Sequence, residues 1–344
     1  MTFVNKISFQ VFFTGCMVAV VVYGMPDSWI LSRMAVGMPL GPSTKLHLNQ
    51  EIGPDFISSP VRPKRDPEHY VDECISMLGE EGQYYLKSRT DPDGSVCAIY
   101  LYAEPDQNIE IKFNYLDVSC DNEGLVVVVD GWELNQKIFP NPDDHPKELK
   151  TRFTETCGKR KIKKSFLSSQ NVALIQYRMP ARGSSFSFSV RFVKNPTPCN
   201  VLIQSEQVYT LRNYGERANC SISALFPAAL RILDINVGVT RSKDRSNEFE
   251  TGVLHKCQKR GLDDYVQIGG SSGIDDGFME IADSLCGLSS MPGKYVENIG
   301  CDVSSARLVS SGAYDNSITL IFEQLTFNDV NGFMSVVCIP EDLS

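Results

Sequence analysis

Ten cysteines, none closer than 15 residues to the next, limit what this chain can fold into more than any other feature. The 344-residue sequence holds eleven, but Cys16 lies in an apolar run from Ile7 to Val22 that follows Lys6 and precedes the small Gly24. A basic residue, a short apolar run and a small residue make the pattern of a secretory signal peptide, here residues 1–24. The competing reading is a membrane anchor, for which a tilted helix takes roughly 17 to 25 apolar residues. Removal of the leader leaves Cys74, Cys97, Cys120, Cys157, Cys199, Cys220, Cys257, Cys286, Cys301 and Cys338, an even set. Behind a secretion signal such a set predicts full pairing in an oxidising compartment. Thiolate zinc sites need clustered C-x-x-C spacing, so no metal is expected. Counting does not fix the connectivity. Pairing neighbours in order would close five loops of 20 to 36 intervening residues, each bridge typically contributing ~2–4 kcal/mol.

Hydrophobic residues at 42% and charged residues at 22% describe a globular chain, and its length suits two units of ordinary size. The net charge of -9 repels a phosphate backbone and speaks against nucleic acid, while it would steer a basic ligand inward.

Residues 25–67 carry seven prolines and no cysteine, a loosely ordered segment that includes Arg62-Pro63-Lys64-Arg65. That basic pattern suits a secretory processing protease, which would make the segment a pro-segment; an uncut solvated turn is the equal alternative. Beyond Cys74 come short β-branched and aromatic runs separated by turn residues: 98–102, 109–113, 125–129, 172–177 and 186–192, then 201–204, 207–211, 220–226, 229–235, 264–268, 306–310, 317–322 and 333–339. The Pro-rich join near 194–198 divides the chain into 68–195 and 196–344, which repeat each other loosely. The expected fold is all-β, two disulfide-stapled β-sandwich domains in tandem.

No catalytic constellation emerges. Gly269-Gly270-Ser271-Ser272-Gly273 matches the nucleophile pattern G-x-S-x-G, but no helix pattern follows it, so a flexible glycine turn is expected. The histidines, His47, His69, His145 and His255, sit in polar stretches without metal spacing and read as solvated loop residues. Asn219-Cys220-Ser221 is an acceptable glycosylation sequon, since Asn195-Pro196-Thr197 has proline in the middle. The polar loop 241–256, with Arg241, Lys243, Arg245 and Lys256, is a candidate nicking site.

Several motifs together resemble one family, the corticotropin-releasing-factor-binding proteins. They are Val129-Asp130-Gly131-Trp132 with Phe139-Pro140 and Asp144-His145-Pro146, Ser168-Ser169-Gln170-Asn171-Val172-Ala173, Pro198-Cys199-Asn200-Val201, Asn219-Cys220-Ser221, Ile299-Gly300-Cys301-Asp302 and Val309-Ser310-Ser311-Gly312. The resemblance runs from about Cys74 to Cys338 and leaves residues 25–66 uncovered. It implies a secreted glycoprotein with five sequential disulfides and two CUB-like domains, which binds a CRF-like peptide hormone and limits receptor activation. It implies no cofactor. Calcium-binding CUB domains carry an aspartate where this chain has Gly124; Asp264 could fill that role in the second unit, but no clear set of three carboxylates accompanies it.

In the family, peptide recognition is associated with a basic residue four before the first cysteine and an acidic one two after it. Here those positions are Tyr70 and Ser76, and the local charge comes from Asp72 and Glu73. A shifted ligand preference is therefore expected, towards an invertebrate CRF-like diuretic hormone. The rival reading is an extracellular scaffold or matrix protein that uses its CUB-like domains for protein or glycan contacts.

Overall fold

The structure is a computed structural model that describes residues 68–88, 94–121, 123–241, 248–293, 295–326 and 333–338. The leader, the Pro-rich segment and residues 242–247 of the candidate nicking loop lie outside the described residues.

The first half is a sandwich of two sheets. One sheet has the order Ile75–Leu78, Cys97–Tyr102, Val172–Arg178, Leu125–Val129, Phe153–Thr156. The other runs Glu68–Tyr70, Gly82–Lys87, Ser185–Lys194, Gln107–Val118, Gly158–Arg160, with Phe166–Leu167 also on Gln107–Val118. Alternation aims the Ser185–Lys194 strand: Phe186, Phe188 and Val190 enter the core while Ser185, Ser187 and Ser189 lie on the other face, where Ser187 is itself covered. Leu125–Val129 and Val172–Arg178 do not alternate, because both faces of their sheet are covered. Val126, Val128, Ala173 and Ile175 fill the sandwich. Val129, Val172 and Leu174 point the other way, into a cluster with Trp132, Phe139 and, from the second half, Leu202 and Ile274.

The second half repeats the strand order. Asn200–Ile203, Cys220–Ala224, Val303–Val309, Tyr265–Ser271 and Glu280–Ser289 form one layer, and Gln207–Arg212, Ser317–Gln324, Ala228–Val237, Val296–Gly300 and Val336–Val337 the other, with Gly252–His255 also on Glu280–Ser289. The two layers are not separate sheets in this half. The start of Glu280–Ser289 pairs with Tyr265–Ser271 and its last three residues pair with Ala228–Val237, which joins the layers at one corner into an 11-stranded network. In the first half the equivalent strand breaks at Cys157 into Phe153–Thr156 and Gly158–Arg160. Both copies turn this corner on a Cys-Gly pair, with φ at +85° for Gly158 and +108° for Gly287, a region that favours glycine.

The disulfides join Cys74 to Cys97, Cys120 to Cys157, Cys199 to Cys220, Cys257 to Cys286 and Cys301 to Cys338. The first and third clamp a parallel strand pair, Ile75–Leu78 on Cys97–Tyr102 and Asn200–Ile203 on Cys220–Ala224. Among the described residues, the strand expected at 333–339 shrinks to Val336–Val337. The Gly269-Gly270-Ser271 run is strand rather than turn. Gly269 lies so close to the Glu280 carbonyl that a Cβ would sit 2.1 Å from that oxygen.

A hairpin absent from the sequence reading, Trp132–Leu134 against Lys137–Phe139, closes the apolar seam between the halves. Its two-residue turn places Asn135 and Gln136 at φ +52° and +67°, a conformation usually signalled by Asn-Gly. The Trp132 indole N–H donates to the Leu101 and Ala173 carbonyls at 2.9 and 3.1 Å, and Tyr100 meets the ring edge-on. Trp132→Ala should cost about 3–5 kcal/mol, read as a lowered urea midpoint, because it opens a cavity and strands two acceptors; a loss under about 1 kcal/mol would refute the seam's role.

Candidate functional site: the seam cleft and the first-disulfide face

Beside the apolar seam lies a charged belt. Asp130 follows the buried Leu125–Val129 strand and is itself fully buried. Its carboxylate accepts from Lys147 Nζ at 2.5 Å, from the Ser169 amide and hydroxyl at 2.7 Å each, and from Gln170 Nε2 at 3.0 Å. Burial alone would raise its pKa, but the nearby His145 and the hydrogen bonds from Lys147 and Ser169 hold it far below the usual carboxylate range. His145 lies 3.6 Å from Asp130, its side chain buried, so the solvated-loop reading of this histidine is corrected: the turn at 141–145 folds it inward. Arg152, also fully buried, donates to the carbonyls of Asp130, Phe139 and Pro140 and ties the hairpin to the belt. Burial lowers its pKa to about 10, with Asp130 and Asp275 opposing.

Across the seam, Arg307 of the second half grips Asp144 of the first through two bonds, Nε to Oδ2 at 2.5 Å and Nη2 to Oδ1 at 2.6 Å. Asn219 Nδ2 donates to the same Asp144 Oδ1 at 2.9 Å. Asn171 bridges the halves as well, donating to Leu202 O at 2.8 Å and accepting from Leu202 N at 3.0 Å. Next to these, Asp276 is buried with both carboxylate oxygens unpartnered among the described residues. Burial pushes its pKa up to about 6; Ser221 and Arg307 pull it down and Asp144 and Asp275 push it up. The belt floors a cleft of about 1310 Å³, whose walls include His145, Asn195, Thr197, Tyr214, Asn219 and Ser311.

The segment expected to recognise peptide lies elsewhere, at the end of the first sandwich. Tyr70 is 59% exposed on the edge strand Glu68–Tyr70, facing Tyr85 at 5.9 Å between ring centroids, and Tyr85 faces Tyr115 at 6.3 Å. The register aligns Tyr70, Tyr85, Ser187 and Tyr115 in one cross-strand row, where the short Ser187 lets the flanking rings close over it. Asp72 and Glu73 are exposed at the crossing between sheets. Ser76 lands on the opposite sheet from Tyr70, its hydroxyl 3.4 Å from the Glu73 carbonyl. Tyr70 and Ser76 are thus not brought onto one strand. Around the Cys74–Cys97 bridge, Ile75 and Val96 are 61% and 65% exposed. The tyrosine row escaped the sequence reading because Tyr85 and Tyr115 meet only through the strand register.

The other candidates have structural partners. Ser271 donates to Gly273 O at 2.5 Å from within a strand. His255 pairs with Asp283 at 2.6 Å. Asp264 accepts from the Ser311 amide and hydroxyl at 3.1 and 2.5 Å and from Asn316 at 2.6 Å, so its carboxylate is already satisfied. No group of three metal-ligating side chains occurs among the described residues.

Five bridges and two repeated all-β halves that share an apolar seam define a disulfide-stapled, duplicated β-sandwich protein. The family "Corticotropin-releasing factor binding protein N-terminal domain" matches residues 68–194, and the corresponding C-terminal domain matches residues 201–331. The Xenopus laevis corticotropin-releasing factor-binding protein is 33% identical over 256 residues, 73% of this chain and 76% of that protein. The human protein of that name is 30% identical over 292 residues, 83% and 87% of the two chains. The chain belongs to the corticotropin-releasing-factor-binding protein family. Solved structures with lower similarity include the CUB1-EGF-CUB2 domains of rat MASP-1, at 15% identity and a TM-score of 0.22, covering 74% of this chain and all of that one.

Arg307→Ala should destabilise the protein by about 3–5 kcal/mol in chemical denaturation, because Asp144 is left buried without its counter-charge. Asp276 acts in the opposite sense. Its folded pKa of about 6 exceeds the ordinary 3.8, so the folded state holds the proton more tightly and loses stability as pH rises from about 3.8 to 6. Asp276→Asn should raise stability at pH 7 by up to roughly 3 kcal/mol and flatten the decline across that window; an unchanged pH profile would show that Asp276 does not govern it.

Proposed function

We propose that the chain is a secreted trap for a CRF-like peptide hormone, acting by binding rather than catalysis. The observation that carries the reading is that both halves match the domains of a family whose members are named for binding this hormone. The disulfide set suits an oxidising compartment. Ser271, buried in a strand, is not placed as a nucleophile would be, which supports the non-enzymatic reading. The proposed working units are residues 68–195 and 196–344, with the glycan carried by Asn219. Its amide nitrogen lies at the cleft and keeps its bond to Asp144 through a single N–H.

The tyrosine row is the proposed peptide face. Tyrosine combines large contact area with little conformational entropy to lose, which suits the centre of an interface. An amphipathic helix from the hormone would lay its apolar stripe across Tyr70, Tyr85 and Tyr115, with Asp72 and Glu73 offering charge at one end. Binding at nanomolar concentration requires about -12 kcal/mol, and sequestration from a receptor follows by mass action.

Calorimetric titration of the secreted protein with a CRF-like peptide should give saturable one-site binding. Tyr70→Ala and Tyr115→Ala should each weaken it about tenfold or more, equivalent to about 1.4 kcal/mol. Folded protein without saturable binding would discard the hormone-trap reading; full binding by both variants would move the face elsewhere.

A further inference from the structure

One surface feature runs against the acidic character of the whole protein. Directly after Cys157, residues 158–164 read Gly-Lys-Arg-Lys-Ile-Lys-Lys, placing five cations in seven residues of a chain with net charge -9. All five, Lys159, Arg160, Lys161, Lys163 and Lys164, are exposed. Gly158–Arg160 is the edge strand beside Gln107–Val118, and the run continues past the ladder along the rim of the sandwich. Lys159 meets Asp117 at 3.1 Å while staying 84% exposed; among the described residues, Lys161, Lys163 and Lys164 have no ion pair.

Lysines on an edge strand also deter strand addition, but that role accounts for neither the number nor the extent of the charge. The duplicated half supplies an internal comparison. The same Cys-Gly corner at Cys286-Gly287 is followed by Leu288-Ser289-Ser290-Met291-Pro292-Gly293, without a single cation. The fold therefore makes this corner without basic residues.

We propose that residues 158–164 bind a sulfated glycosaminoglycan, an inference that rests on the extracellular location proposed above. A linear polyanion can track an extended rim of cations without a shaped pocket, and it gains affinity by releasing its condensed counterions. Ile162, the apolar residue of the run, packs against the sandwich core and offers nothing for insertion into a bilayer. The tyrosine row lies on the same sheet, since the edge strand pairs with the strand that carries Tyr115. The chain would thus be held at a cell surface or matrix while its peptide face stays on the molecule's first half.

The test uses the full secreted chain on immobilised heparin at 0.15 M salt, a concentration with a Debye length of about 8 Å. The wild type should be retained. A variant combining Lys161→Ser, Lys163→Ser and Lys164→Ser should pass through, with the slope of log affinity against log salt reduced by about three. A charge-matched control, Lys150→Ser with Lys259→Ser and Arg260→Ser, should still be retained. Circular dichroism and peptide titration establish that each variant is folded and keep this outcome separate from hormone binding. Failure of the wild type to bind, equal loss in both variants, or capture by anionic phospholipid vesicles but not by heparin would overturn the proposal.

Discussion

Everything in this architecture follows from one sheet that has no face to offer water. The strands Leu125–Val129 and Val172–Arg178 direct residues into the first sandwich on one side and, on the other, present Val129, Val172 and Leu174. That second apolar face must be covered, and the Trp132–Phe139 hairpin together with Leu202 and Ile274 covers it. The halves are consequently one body joined by core-like packing rather than two beads on a linker.

Once the seam is dry, the charges along its border become strong constraints. Asp130 and Asp144 are buried but supplied with donors, so the charged form survives. Arg152 spends its guanidinium on three backbone carbonyls instead of a carboxylate. Asp276 lacks such partners and is correspondingly reluctant to ionise. Acidic residues along one seam thus have opposite effects on stability, decided by which donors the fold brings to them.

Much of the fold was legible in the cysteines and in the β-branched runs, because period-two alternation and turn residues report local geometry directly. The strands at 125–129 and 172–177 were visible as β-branched runs between turn residues, and that at 186–192 by its alternation. Glu280–Ser289 was not: Glu-Ile-Ala-Asp-Ser-Leu-Cys-Gly carries no clean alternation, since the strand changes layers midway and its two ends answer to different neighbours. The hairpin at 132–139 was hidden by a turn without glycine. Of the candidate site, Tyr70 could be named from its place near the first cysteine, but Tyr85 and Tyr115 could not. Their proximity is a property of register, which sequence spacing does not encode.

The five disulfide loops lie end to end along the chain, and none encloses another or crosses between halves. Oxidation can therefore keep pace with synthesis: the first two bridges have both their cysteines available before any residue of the second half has emerged. The seam has no such independence, because Trp132 and Phe139 wait uncovered until Leu202 and Ile274 arrive. In a half-synthesised chain the first half is covalently finished yet still sticky, and that interval is when a chaperone has something to hold.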